Sequence, residues 1–532
     1  EERLTLGEGD DALAPSMRVA LGGVGVALAL VNATTVIGFM SNLVSPVPPI
    51  QDFGIVSSFG ITAAFLVFGV LVPALKIEID QFLENRGIDR KKRAIGTGGG
   101  RFGEILKIGS TGAKKAPYVV LVIALLVSAG GAYGASQVDT SFEQSDFLSD
   151  DPADWMKDLP EPLAPGDYSA KANLEYVNDN FLRQDSQAQI LVEGDVATPD
   201  ALEKLQRAKD TASGKEDVVV VLSNGEPQIR SPLSVMDQVA AQNESFNATL
   251  AAADTDGDGV PEQNVQQVFD ELFAVAPQEA KGVLVQQDGE YEAARMVVSV
   301  KGGASSSTVT TEMRAIASNV DGPDLTATAT GQPIVFEIVQ KQLLNTVIQS
   351  LLITLAATFA FLMIAYRLAH GSAALGAITL LPVAFSVSWI LGTMYLLGMP
   401  FNVLTGMITS LTVGLGVAYS IHLSERYTME LGRRDTMWAA MNESVTGTGG
   451  ALLGSAATTV GGFGVLAFAI LPALQQFGII TGLTIVYAFL ASVLVLPSLL
   501  ALWTRYLGPG EAADAEPSSA VAQGPQAEVS ED

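Results

Sequence analysis

The 532 residues contain no cysteine and only two histidines, His370 and His422. Disulfides, zinc thiolates, iron–sulfur clusters and cysteine nucleophiles are therefore excluded, and so is a histidine-rich metal centre. Charge is scarce as well. Asp, Glu, Lys and Arg make up 16% of the chain, against roughly 25% in soluble proteins. The charge present has one dominant sign, 57 acidic against 30 basic residues, for a formal net charge of -27. Phosphate binding needs clustered Lys and Arg, so a nucleic-acid binder is disfavoured. What is abundant is apolar: hydrophobic residues make up 48% of the chain.

Runs free of Asp, Glu, Lys and Arg cover residues 19–51, 53–75, 116–138, 342–366, 368–424 and 444–504. A bilayer core of about 30 Å takes roughly 20 apolar residues as helix, because only helices or closed barrels pair every backbone group in lipid. The two longest runs hold two spans each, broken at Leu397-Gly-Met-Pro-Phe-Asn402 and at Leu471-Pro-Ala-Leu-Gln-Gln476. Eight helices are thus expected, near 19–44, 52–75, 117–136, 342–366, 372–397, 402–424, 447–470 and 476–503. Lys and Arg near span ends prefer the cytoplasmic side. Lys76 to Lys115 holds ten of them, including Arg90-Lys-Lys-Arg93. Alternation then places Arg367, Arg426, Arg433, Arg434, Arg505 and both termini in the cytoplasm. The turn Ser45-Pro-Val-Pro-Pro-Ile50 and the long segment 137–340 are expected outside.

That orientation locates the charge. Residues 136–340 carry 36 acidic and 12 basic residues, a balance of -24, which leaves -3 for the rest. A surface dense in Asp and Glu stays hydrated in brine, where salt screens its self-repulsion. The pattern predicts a halophilic archaeal origin. Within 137–340, strand-like runs at 189–193, 218–222, 294–300 and 325–330 alternate with helical patterns near 200–212 and 307–318. This is βαβ, a helical insertion and βαβ again, the pattern of a ferredoxin-like α/β domain. The insertion contains Asp254-Thr-Asp-Gly-Asp-Gly259-Val-Pro-Glu262, matching positions 1, 3, 5 and 6 of an EF-hand loop. Val265 stands where the bidentate Glu belongs. Asp254, Asp256, Asp258 and Glu262 are therefore candidate ligands of a structural Ca²⁺, the alternative being an acidic, solvated turn.

An internal repeat is the most informative pattern. Ala33-Thr-Thr-Val36 recurs as Ala457-Thr-Thr-Val460, Gly38-Phe39 as Gly462-Phe463, Phe53-Gly-Ile55 as Phe477-Gly-Ile479, Phe65-Leu66 as Phe489-Leu490, and Pro73 as Pro497. Every match has the offset 424. Such repeats build many transporters. Glu1 then corresponds to Glu425, and residues 118–424 of the later copy have no earlier partner. The chain is expected to be the C-terminal part of a longer protein. The expected organisation is the end of a first repeat (1–75), a basic linker (76–116), one helix (117–136), an external α/β domain (137–340), five helices (341–504) and a disordered acidic tail (505–532).

The repeat, the flanked external domain and the stretch Gly414-Leu-Gly-Val-Ala-Tyr-Ser-Ile-His-Leu-Ser-Glu-Arg-Tyr427 together resemble the resistance-nodulation-division (RND) superfamily, in particular its MMPL-like and sterol-sensing-domain-like exporters. The resemblance implies that 19–75 are helices 5 and 6, 117–136 helix 7, 342–503 helices 8 to 12, and 137–340 a porter-type domain. Helices 1 to 4 and a first external domain would lie elsewhere. It also implies a buried acid in helices 4 and 10. At the helix 10 position stands Ala418. The neutral neighbourhood that remains, Asn32, Thr409, Ala418, Tyr419, Ser420 and His422, is the candidate path and coupling region. For most of these hydroxyls, bonding to their own helix carbonyls is the simpler reading. The expected function is export of a hydrophobic or amphiphilic molecule, with ion coupling mainly in a first-half polypeptide and an oligomeric assembly. The alternative is a non-transporting lipid-sensing or assembly subunit. An enzyme is not expected.

Overall fold

A computed structural model describes residues 13–45, 48–87, 101–138, 140, 148–149, 151–152, 154–158, 160, 164–180 and 187–508. Arg90-Lys-Lys-Arg93, Pro46-Val47 of the expected turn and tail residues 509–532 lie outside the described residues. In chain order the α-helices of five or more residues and the strands are α1 (Leu13–Met40), α2 (Pro48–Glu84), α3 (Arg101–Lys115), α4 (Pro117–Ala135), α5 (Ala170–Asn180), β1 (Gln187–Gly194), α6 (Pro199–Ser213), β2 (Ile229–Arg230), α7 (Pro232–Ala240), α8 (Glu244–Ala253), α9 (Val265–Val275), α10 (Pro277–Lys281), β3 (Leu284–Gln287) and β4 (Glu290–Ser299). There follow α11 (Ser306–Ala317), β5 (Leu325–Thr330), α12 (Gln332–His370), α13 (Ala373–Leu396), α14 (Val403–Leu431), α15 (Met437–Glu443), α16 (Gly449–Gly464), α17 (Pro472–Leu490) and α18 (Leu496–Tyr506). Two compact units divide the chain: residues 1–140, 343–469 and 473–532 form one, and residues 141–342 with 470–472 the other.

The first unit is helical. Among the described residues, eight helical segments are long and apolar enough to cross a membrane: 15–44, 50–84, 117–135, 332–370, 373–396, 405–431, 437–468 and 472–506. Large apolar side chains such as Val56, Phe59 and Val70 stand exposed along α2, as a lipid-facing helix requires. Tyr366 and Tyr427 are fully buried. α14 corrects the expected end of its span, because it runs unbroken to Leu431 and not to 424. Glu425 and Glu430 are therefore buried in the helix, at 7% and 2% exposure. The charge-free run 368–424 placed Glu425 just past a span, and tertiary burial overrides that reading.

The repeat is also a repeat of structure. A 3₁₀ turn at Ser41–Val44 follows α1, and another at Val465–Phe468 follows α16, at the offset 424. A Cβ on Gly54 would meet the Phe39 carbonyl at 2.6 Å, and one on Gly478 would meet that of Phe463 at 2.6 Å. Only glycine lets the following helix lie this close. Gln51 Nε2 donates to Ser45 O at 2.6 Å and Gln475 Nε2 to Ala469 O at 2.7 Å. Phe39 meets Phe53, and Phe463 meets Phe477, with ring centroids 5.9 and 5.6 Å apart. The same turn is built twice on the same flanking Phe, Gln and Gly residues, although its own four residues, Ser41-Asn-Leu-Val44 and Val465-Leu-Ala-Phe468, differ.

The second unit is an α/β domain. Its sheet runs β2-β4-β1-β5, with β3 on β4, and every pairing is antiparallel. β1 is central because its alternate residues Ala188, Ile190 and Val192 are fully buried, the period-two pattern of a strand with one face on the core. α6 and α11 cover that face with Leu202, Leu205, Met313 and Ile316. Thr198 accepts from Ala201 N and Ser305 from Thr308 N, which caps both helices. This is the split βαβ order of a ferredoxin-like sandwich. The expected strand at 218–222 is corrected. Only the bridges Val219 to Val300 and Val221 to Pro227 form there, since the chain turns back at once, Gly225 N donating to Leu222 O at 2.9 Å. The insertion after β2 holds α7 to α10, packed through Met236, Phe246, Phe269 and Leu272.

Candidate functional site

In the helical unit, α1, α12 and α14 meet along a polar seam. Small residues bring the backbones together: a Cβ on Gly38 would stand 3.5 Å from Gly414 Cα. Thr35 Oγ1 donates to Gly414 O at 3.3 Å, and to its own helix at Val31 O at 2.7 Å. Thr354 Oγ1 donates to Ser41 Oγ at 2.7 Å, Ser41 and Ser350 share a bond of 2.9 Å, and Ser350 donates to Asn42 Oδ1 at 3.3 Å. Interhelical bonds of this kind contribute about 0.6 kcal/mol each in a membrane. The seam also holds polar atoms without a hydrogen-bond partner among the described residues: Asn32 Oδ1 and Thr358 Oγ1.

The six residues expected around helix 10 are not gathered at one point. Thr409 bonds its own helix at Thr405 O, 2.9 Å. Tyr419 packs edge-on against Phe489, centroids 6.1 Å apart. Ser420 turns to Ser492 at 2.9 Å. Ala418 and His422 are half-buried. Asn32 lies on α1, next to the seam through Thr34 and Thr35.

The charged centre of this unit is a pair that sequence reasoning missed. His370, the last residue of α12, places Nε2 3.0 and 3.2 Å from the two carboxylate oxygens of Glu425 on α14. The Tyr366 ring stacks on His370 at 5.4 Å. Its fully buried hydroxyl lies beside Thr379, Ser424 and Glu425 without a hydrogen bond of good geometry. Thr379 Oγ1 donates to Ser424 Oγ at 2.9 Å. The available signal was that each of the chain's two histidines stands at the end of a span. The other buried carboxylate of α14, Glu430, is held by permanent cations, with Arg426 at 3.0 Å, Arg434 at 3.1 Å and Arg433 at 3.9 Å.

A cavity of about 460 Å³ opens between α4, α13 and α17. Gly131, Gly134 and Gly392 form its floor, and Trp389, Tyr395 and Tyr487 its aromatic walls.

In the α/β unit, Asp254, Asp256, Asp258 and Glu262 each offer a carboxylate oxygen within 4.8 Å of the others. The backbone folds to suit. Gly257 and Gly259 have φ of 81° and 86°, a region that disfavours side chains. Their N–H groups donate to the two oxygens of Asp254 at 2.7 and 2.9 Å. The N–H and the hydroxyl of Thr255 both donate to Glu262 Oε2 at 2.6 Å. The Thr255 hydroxyl, then its N–H, hold the Glu262 carboxyl below its ordinary range. Asp258 N–H favours charged Asp256, but desolvation and the Asp258 and Glu262 carboxylates together push the Asp256 carboxyl above its ordinary range. Four converging oxygens with a crowded charge suit a hard divalent cation such as Ca²⁺.

The sequence profile of the MMPL family matches residues 196–518. The membrane protein MJ1562 of Methanocaldococcus jannaschii is 29% identical over 130 residues, 24% of this chain and 34% of that protein. A crystal structure of SecDF in its super-membrane-facing form aligns with a TM-score of 0.48 and 15% identity, covering 95% of this chain and 51% of the other. The chain thus spans about a third of the curated relative and about half of the solved one.

Proposed function

The chain belongs to the MMPL family, and on that premise we propose that it works as part of an RND-type transporter that exports a hydrophobic or amphiphilic molecule. One observation carries the reading. The helix pairs α1–α2 and α16–α17 repeat the same turn, down to the Gln side-chain bond and the glycine contact, and repeated bundles that exchange packing are how such transporters alternate access. The cavity beside Trp389 and Tyr487 has the size and lining of a site for an acyl chain or a similar apolar body. In this proposal residues 137–340 face the outside, both termini face the cytoplasm, and the chain acts as a transporter, not an enzyme, without a nucleic-acid partner. It works in an oligomer or together with a first-repeat polypeptide that shares the ion coupling. The acidic α/β surface is an adaptation to a halophilic archaeal setting, and its Asp254–Glu262 loop holds Ca²⁺.

A second reading, a lipid-sensing or assembly subunit, is favoured by one feature, the neutral Ala418 in the middle of α14. Reconstitution separates the two. Vesicles bearing the protein with its first-repeat partner and a fluorescent amphiphile in the lumen are given an ion gradient. Gradient-dependent loss of the dye supports transport; equal loss with and without protein refutes it and leaves the sensing reading.

A further inference from the structure

We infer that α3 is a docking surface for the membrane itself: it lies in the headgroup layer and collects anionic phospholipid on its lysines. The inference goes beyond the transport reading and does not depend on it.

Charge is the first observation. The segment from Lys76 to Lys115 carries ten basic and five acidic residues in a chain whose net charge is -27. Several cations of the helical unit are already occupied. Lys76 bonds Asp80, Arg367 donates to Gly371 O, and Arg426, Arg433 and Arg434 surround Glu430. α3 is different. Its Lys107, Lys114 and Lys115 are exposed, and among the described residues no carboxylate pairs with any of them.

Geometry puts α3 at the bilayer surface. One residue, Ala116, joins it to the span α4, and Ala116 is not helical, with φ of -154° and ψ of 62°. A Cβ on Gly112 would stand 3.4 Å from Val120 Cγ2, although eight residues of straight helix rise about 12 Å. The chain therefore bends sharply, and α3 does not continue the span. At about 100° per residue, Ile105, Ile108 and Gly112 form one stripe. Its Gly112 end touches α4, so the stripe is turned towards the bilayer, and Ile105 and Ile108 are each 59% exposed on it. Lys107 and Lys114 follow the other flank, with Leu106, Gly109, Ser110 and Ala113 buried in between. A helix with an apolar flank and a basic flank, tied to a span, lies in the interfacial plane.

Tyrosines mark the level of that plane. Tyr118, three residues past Lys115, shares a hydrogen bond of 2.8 Å with Tyr506 at the end of α18, and both are exposed. Arg505 adds a cation whose charge is felt at the Tyr118 hydroxyl. The surface is also assembled in advance. A Cβ on Gly109 would clash with Val493 O, and Ser110 Oγ donates to Asn442 Oδ1 at 2.5 Å, so α3 is seated on the bundle. Lipid binding then requires little ordering of the protein. Basic residues beside a span draw anionic headgroups by about fivefold each.

Because the chain has no cysteine, Ile108→Cys offers a single thiol for a bimane fluorophore. The labelled full chain is placed in phosphatidylcholine nanodiscs that hold a small share of a lipid with a nitroxide high on its acyl chain, either phosphatidylglycerol or phosphatidylcholine. The phosphatidylglycerol quencher should act at a content at least about fivefold lower. Lys107→Gln/Lys114→Gln/Lys115→Gln should erase that preference, and arginine at the same three positions should keep it. Equal quenching by the two lipids overturns the proposal, as does a preference that survives the glutamine triple or is lost in the arginine triple. Glycerol phosphate in solution, compared with chloride at matched ionic strength, should leave the preference unchanged; if it abolishes the preference, the lysines serve free anions and not the bilayer. A label reached by a water-soluble quencher and by neither lipid also overturns the proposal, because α3 then stands off the membrane. Export plays no part in these readouts, so their failure leaves the transport reading untouched.

Discussion

Replacing Gly131 by alanine is expected to loosen the contact between α4 and α13, while the same change one residue earlier leaves it intact. A Cβ on Gly131 would lie 2.3 Å from Ser388 O and 2.8 Å from Ser388 Oγ, whereas one on Gly130 would meet nothing within 4 Å. Ordinary contact begins at 3.4 Å, so the helices must part by about 1 Å, which close-packed interiors resist. Two interhelical bonds span the same spot: Ser388 Oγ donates to Ser128 O at 2.5 Å, and Trp389 Nε1 to Ser128 Oγ at 2.9 Å. Overpacking typically costs about 1–3 kcal/mol, and two weakened membrane hydrogen bonds add about 1 kcal/mol. Gly131→Ala should therefore destabilise the chain by about 2–4 kcal/mol. Gly130→Ala should be neutral or gain up to about 1 kcal/mol from helix propensity. Reversible unfolding of the full chain in mixed micelles, titrated with dodecyl sulfate and followed by tryptophan fluorescence, measures both. Equal midpoints for the two variants would refute the close approach of α4 and α13.

Other outcomes follow from the α/β unit. Millimolar Ca²⁺ should raise the thermal midpoint of the full chain and give a calorimetric binding signal, both lost in Asp254→Asn; a silent titration rejects the site. Lowering the salt from 1 M to 0.1 M lengthens the Debye length from about 3 to about 10 Å. The surplus of -24 on residues 136–340 should then unfold this unit, and a circular-dichroism spectrum unchanged by salt removes the halophilic reading. Tyr291 is bonded to Asp270 at 2.8 Å, and burial followed by that bond raises its hydroxyl above the ordinary range. Its contribution to stability is fully present below pH about 10 and is lost as the pH rises through the raised value. Tyr291→Phe should therefore lessen the alkaline loss of stability, and identical alkaline melting profiles would contradict this.

The spans were legible because a bilayer sets a simple rule of length and composition, and runs such as 342–366 and 444–504 meet it. The α/β order was legible from period-two runs at Gln189–Glu193 and Leu325–Thr330. Failures came where packing decides. The run Val218–Leu222 looks like a strand but forms two bridges, because the chain turns back right after it, at Leu222–Gly225. Glu425 looks like a charge just past a span, yet α14 continues and buries it. His370 and Glu425 stand 55 positions apart, and no local pattern links them.

By itself, then, the sequence determined that this chain carries runs long and apolar enough for eight membrane spans, repeats a two-helix unit at offset 424 and gathers its negative charge on one domain. These are consequences of composition and periodicity, which act locally along the chain. Only the tertiary structure decided which polar side chains meet. It paired His370 with Glu425, fixed Glu430 among arginines, turned Ser420 towards Ser492 and brought four carboxylates of one loop within reach of a single ion. The physical reason is that a buried charge or hydroxyl takes its character from its neighbours, and helix packing chooses neighbours that are remote in sequence.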